Sequence, residues 1–99
     1  MGQLQFDPLA RAESRAAYRW YLKAGIDVAT RFLAALDAAI AKIEANPLAT
    51  AKYDYGTRVY RVKGYPYLVV FQILPSNQLF GIAIAHARRK RGYWRRRLK

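Results

Sequence analysis

The stretch that decides the fold is Arg58–Ala87, RVYRVKGYPYLVVFQILPSNQLFGIAIAHA. Before it, apolar residues recur with the 3.6-residue period of a helix. Within it they recur every second residue or run together, which is the pattern of strands. Three strands are predicted, at about 57–63, 67–74 and 79–87, with turns supplied by Gly64–Pro66 and Pro75–Gln78. YLVVFQIL is apolar on both faces, so it should lie centrally in a sheet. In LFGIAIAHA, strict alternation puts the small residues Gly81, Ala83, Ala85 and Ala87 on one face and Phe80, Ile82 and Ile84 on the other. The small face predicts close packing by another element. The same alternation aims His86 toward the core.

Upstream, Asp7-Pro8 reads as a helix start, because aspartate caps well and proline suits the first turn. The predicted first helix runs from Leu9 to Ala24, with Ala10, Ala16, Ala17, Trp20, Tyr21 and Ala24 as its apolar stripe. Arg11, Arg15, Arg19 and Lys23, spaced by four, form a basic ridge along it. Gly25 should end this helix and Asp27 should cap the next. Phe32, Leu36, Ile40 and Ile43 make a core stripe, and Asn46-Pro47 closes the second helix. Long helices with a short link predict an antiparallel hairpin. With Leu4–Phe6 as a short additional strand, the expected order is β-α-α-β-β-β. The fold class is α+β: a helical hairpin packed on a small, mostly antiparallel sheet.

Ninety-nine residues read as one domain, 1–99. The chain has no cysteine, one histidine and six carboxylates scattered singly, so a thiolate or histidine metal site is not expected, nor any cofactor. No long apolar run suggests a membrane span or signal peptide, and a cytoplasmic protein is expected. The net charge is +12, and it is unevenly spread. Residues 88–99 carry eight Lys or Arg and no acid, which is +8. Such a field attracts a polyanion or an acidic partner. Residues 95–99 could be a flexible basic tail.

There is no Gly-rich phosphate loop and no Ser–His–Asp order. The chemistry-bearing residues are Arg58, Arg61 and Lys63 on the first hairpin strand, His86 at the end of the last, and Arg88, Arg89, Tyr93 and Trp94 beyond. Arg61 and Lys63, about 6–7 Å apart on one strand face, would suit phosphates, or would simply be a solvated face. RNA cleavage through the 2′-hydroxyl needs a base, an acid and cations, without a metal. His86, Tyr93 and the arginines supply those types. Against this stands the bland reading of His86 as a hydrogen-bonded core histidine.

Four blocks in order, FDPLARAESRAAYRWY, RFLAALDAAIAKIEANP, RVYRVKGYPYLVVFQI and IAIAHARRKRGYW, resemble the RelE/ParE superfamily of toxins from type II toxin–antitoxin modules. The most specific parts are GYPYLVVF and the HARR…YW ending. The resemblance implies a helical hairpin on a small antiparallel sheet, and a toxin neutralised by a cognate antitoxin that folds on binding. RelE-like members cleave mRNA on the ribosome without metal; ParE-like members poison DNA gyrase. If the chain is a nuclease, the resemblance implies catalytic roles for His86, Arg61, Arg89 and Tyr93. Arg58, Lys63, Arg88, Lys90, Arg91 and Trp94 would then bind RNA. Arg11, Arg15 and Arg19 are the residues expected to meet an acidic antitoxin segment. Ribosome-dependent cleavage is the first expectation, a gyrase poison the second, and a scaffold that only binds an acidic partner the third.

Overall fold

The computed structural model describes residues 3–99; Met1 and Gly2 lie outside it. The elements are β1 (Leu4–Phe6), α1 (Pro8–Leu22), α2 (Ile26–Ala45), β2 (Ala51–Lys52), β3 (Arg58–Arg61), β4 (Tyr67–Ile73) and β5 (Leu79–His86). Three short 3₁₀ turns lie at Pro47–Ala49, Asp54–Gly56 and Arg95–Arg97. The sheet order is β1-β5-β4-β3-β2, antiparallel except that β1 runs parallel to β5. The expected α+β arrangement holds, with one addition: β2, too short to leave a period-2 signal, extends the β3 edge.

Asp7 caps α1 by accepting from the Leu9 N–H at 2.8 Å, and Pro8 opens the helix. Gly25 does the work expected of two residues. Its φ of +133° lets the chain reverse. Its N–H donates to Leu22 O, and its own carbonyl accepts from the Ala29 N–H to start α2. Asp27 therefore lies inside the first turn of α2 and caps nothing. The α1 stripe is narrower than expected. Ala10 and Ala17 are buried and Tyr21 half-buried, whereas Ala16 and Ala24 are exposed and Trp20 is 64% exposed.

The helical hairpin covers one sheet face. Phe32, Leu36, Ala39 and Ile43 meet Val62, Val69, Phe71, Leu79 and Ile84 there. Tyr21 stacks on Phe32 nearby and Tyr65 meets both edge-on, with ring centroids 4.9–5.3 Å apart. The opposite face carries a second apolar cluster of Val70, Phe80, Ile82, Ala83 and Ala85, covered by Trp94 and Leu98. Residues 95–99 thus pack back on the sheet rather than forming a free tail.

Strict alternation fails in β5 at one point. Val70 pairs with Ala83 but Phe71 pairs with Gly81, so Ile82 is an extra residue in β5, a β-bulge. Leu79 and Gly81 face the helices before it, and Ile84 after it. Phe80, Ile82, Ala83 and Ala85 face away. The small residues split accordingly: Gly81 accommodates the Phe6 ring, whose atoms occupy the space of a Cβ, while Ala83 and Ala85 lie beneath the C-terminal segment.

Candidate functional site

The C-terminal segment is organised around one carboxylate. β1 covers only Leu79–Gly81 of β5, and the Asp7 N–H closes on Gly81 O. Beyond that point the β5 edge would present unpaired backbone groups. Glu13 of α1 and Arg97 take over there. Glu13 Oε1 accepts from the Ile84 N–H at 3.1 Å, and Arg97 donates to Ile82 O at 3.1 Å. Arg97 also donates to both Glu13 oxygens, at 2.9 and 3.1 Å. Tyr93 Oη donates to Glu13 Oε2 at 2.6 Å, and Arg89 reaches the same oxygen at 3.5 Å. Their side chains are 16% (Glu13) and 13% (Arg97) exposed. Burial would lower the Arg97 pKa, but the Glu13 carboxylate outweighs it and the net shift is upward. Burial first, then the bond to Glu13, pushes the Tyr93 phenol far above its ordinary range. Glu13 was not among the sequence candidates. Its signal was a carboxylate at the i+3 position of the buried Ala10–Ala17 stripe in a chain with few acids.

A second contact set holds residues 91–95. The loop Tyr53–Gly56 clasps them. Arg91 Nε and Nη2 donate to the two Asp54 oxygens at 2.8 and 2.9 Å, and its guanidinium lies 4.6 Å from the Tyr53 ring. Arg95 lies over Tyr55 and donates to its hydroxyl at 3.3 Å. Tyr55 has φ +60°, a conformation few non-glycine residues adopt, and its ring meets Trp94 edge-on at 6.0 Å. Gly92, at φ +80°, lies against the same ring, and a Cβ there would approach Tyr55 Cε2 to 2.9 Å. Tyr53, Asp54 and Tyr55 were also absent from the sequence reading, because their partners lie some forty residues away.

His86 ends β5 on the helix side, turned there by the bulge. It is half-buried, edge-on to Tyr67 at 5.2 Å. Its Nδ1 accepts from the Arg88 N–H at 3.1 Å, which leaves Nε2 to carry the proton in the neutral ring. His86 and Arg89 share a cleft of about 300 Å³ with Glu13, Trp20 and Tyr67. His86, Arg89 and Tyr93 are therefore neighbours around the α1–β5 junction.

Arg61 does not join them. It is exposed, and alternation along β3 places it with Val59 on the sheet face away from the helices. The expected Arg61–Lys63 pair is also split. Strand pairing stops at Arg61, Val62 enters the core, and Lys63 lines a groove against α2 with Tyr60. Arg58 is turned inward, donating to Leu48 O at 3.2 Å and Thr50 O at 2.6 Å, so it holds the 47–50 turn. Trp94 is 1% exposed and cannot stack on a base. Arg88 and Lys90 are exposed; Arg91 is taken by Asp54. Arg11, Arg15 and Arg19 are all exposed on α1. Arg11 and Arg15 border a groove of about 320 Å³ between the helices, floored by Phe6, Leu36 and Ile40. Among the described residues no group of His, Asp or Glu is arranged to hold a metal ion, and no helix is long and apolar enough to cross a membrane.

A helical hairpin laid on a five-stranded sheet, whose last strand runs into an arginine-rich segment, is the architecture of the RelE/ParE superfamily. The family model for the ParE toxin of the type II toxin–antitoxin system, parDE, matches residues 4–91, and the chain belongs to that family. It is the toxin of a toxin–antitoxin pair, and a cognate antitoxin is its partner. No curated protein matches the chain.

Proposed function

We propose that this toxin acts by binding its target rather than by cleaving RNA, and that the target is DNA gyrase. The observation that carries this reading is the Tyr93 hydroxyl, donated to Glu13 at 2.6 Å. A general acid must deliver its proton to a leaving oxygen and works best with a pKa near the ambient pH. The Tyr93 proton is committed to a carboxylate, and its pKa is driven the wrong way. Arg61, on the opposite face of the sheet, is not aimed at the phosphate that His86 and Arg89 could reach. Trp94 belongs to the core. For protein binding the chain is better equipped: Trp20 and Ile26, near the tip of the helical hairpin, are 64% and 67% exposed. Large apolar side chains of this kind anchor protein interfaces.

The test combines purified toxin with gyrase and supercoiled plasmid, and separately with a ribosome-containing translation extract. Gyrase-dependent DNA breaks with intact mRNA support the proposal. Codon-linked mRNA cuts without any effect on gyrase would overturn it. Arg61→Ala and Tyr93→Phe should keep toxicity as long as they fold, whereas a nuclease would lose it.

A further inference from the structure

We infer that the C-terminal segment is a sequence-independent binding surface for duplex DNA. This goes beyond the gyrase reading and is measured without gyrase.

The first observation is uncompensated charge. Of the eight cations in 88–99, Arg89 and Arg97 meet Glu13 and Arg91 meets Asp54. Arg88, Lys90, Arg95, Arg96 and Lys99 have no carboxylate partner among the described residues. The second is that these cations sit on a fixed base. The Tyr53–Gly56 clasp, the buried Trp94 and the half-buried Leu98 hold the backbone that presents them.

The surface chemistry selects nucleic acid over an acidic protein. Protein interfaces have cores rich in apolar and aromatic groups, with arginine as the one cation favoured there. Here the exposed residues of 87–99 are cations apart from Ala87, and the apolar ones are turned into the sheet. Among the described residues the exposed large apolar side chains lie mainly on α1 and α2; Tyr55 alone borders this segment, and its ring carries Arg95. Protein–DNA interfaces, by contrast, are polar and strongly positive.

The rings then select duplex over single strand. Single-strand binding relies on free aromatic faces for stacking. Tyr53, Tyr55 and Tyr93 already carry Arg91, Arg95 and Arg89 on their rings, and Trp94 is buried. What remains is contact with the phosphate backbone. The segment holds only turns and one 3₁₀ turn, so it has no helix or strand to insert in a groove, and no base readout is expected.

Fluorescence anisotropy with a labelled mixed-sequence duplex tests this on the full chain. Binding should weaken steeply with salt, by about 0.9 log units per log unit of salt for each phosphate neutralised. A variant carrying Arg88→Gln, Lys90→Gln and Arg96→Gln should keep its circular dichroism, and its salt slope should be shallower by about 2 to 3. Wild-type duplex affinity retained by that folded variant would overturn the inference. So would tighter binding to the matching single strand, or equal displacement of duplex by poly-glutamate at matched charge. Gyrase poisoning without DNA binding would overturn this inference alone. DNA binding without gyrase poisoning would overturn only the proposed function.

Discussion

Glu13 and Tyr93, eighty positions apart, share a hydrogen bond of 2.6 Å that ties the first helix to the C-terminal segment. The same carboxylate holds Arg97 and the Ile84 N–H. Removing one partner of a buried pair strands the other, at a cost of about 3 kcal/mol. Glu13→Ala should therefore lower urea stability by about that amount, with Arg97→Ala close behind. A change below about 0.5 kcal/mol in Glu13→Ala would mean the network contributes nothing.

Alkaline pH should weaken the same junction. The folded pKa of Tyr93 lies above its unfolded value of about 10. The stabilisation is thus complete below pH 10 and is lost as pH rises through the raised folded value. Absorbance at about 295 nm should show Tyr93 ionising late, only as the chain unfolds, beside Tyr21 and Tyr67, whose phenols burial also raises. Tyr93→Phe should shrink that late step by one tyrosine and cost about 1.5–3 kcal/mol at neutral pH, as expected for a bond to a charged acceptor.

Gly81 is required by the Phe6 ring, which fills the space a methyl group would need. Gly81→Ala must displace either β1 or the ring, at about 1–3 kcal/mol. Phe6→Leu placed in the same chain should recover part of that loss. Strict additivity of the two costs would argue against a direct clash.

The clasp over residues 91–95 should loosen in two ways. Gly92→Ala combines a positive φ with the Tyr55 ring and should cost about 1–3 kcal/mol. Acid should act through Asp54. The hydrogen bond from Arg91 holds its carboxyl below the ordinary value near 3.9. That contribution is present above the ordinary value and is lost as pH falls through the lowered one. Amide exchange in 91–97 should speed up in both cases before exchange in β4 does. Simultaneous exchange of the two regions would show that the clasp is not a separate unit.

Antitoxin affinity should fall as salt is added. Arg11, Arg15 and Arg19 stand exposed on α1, two of them at the rim of the inter-helix groove. An acidic segment meeting them would be screened over about 8–10 Å at physiological salt. Charge reversal at Arg15 should slow association more than it speeds dissociation. Titration calorimetry giving equal affinity at 50 and 500 mM salt, as rough working points, would contradict the role of the ridge.

Much of the fold was legible because its signals are local. Asp7-Pro8, the Phe32–Ile43 stripe and the GYPYLVVF strand each announce themselves within a few residues. The candidate site was legible only as a set of residue types. Glu13 stood out only by its place on the Ala10–Ala17 stripe, and nothing in the sequence names Tyr93 and Arg97 as its donors. Asp54 and Tyr55 lay in a stretch with no periodicity to read.

The chain by itself determined the order of the elements other than β2, the family and the concentration of charge at one end, because period, turn chemistry and composition do not depend on what packs where. Tertiary structure alone decided where the candidate side chains lie. The extra residue at Ile82 turned His86 to the helix side, strand alternation left Arg61 on the other face, and the short reach of β1 left a β5 edge for Glu13 and Arg97 to close. Each of these is a matter of long-range register. A one-residue difference in pairing moves a side chain from one face of a sheet to the other, and no local pattern encodes it.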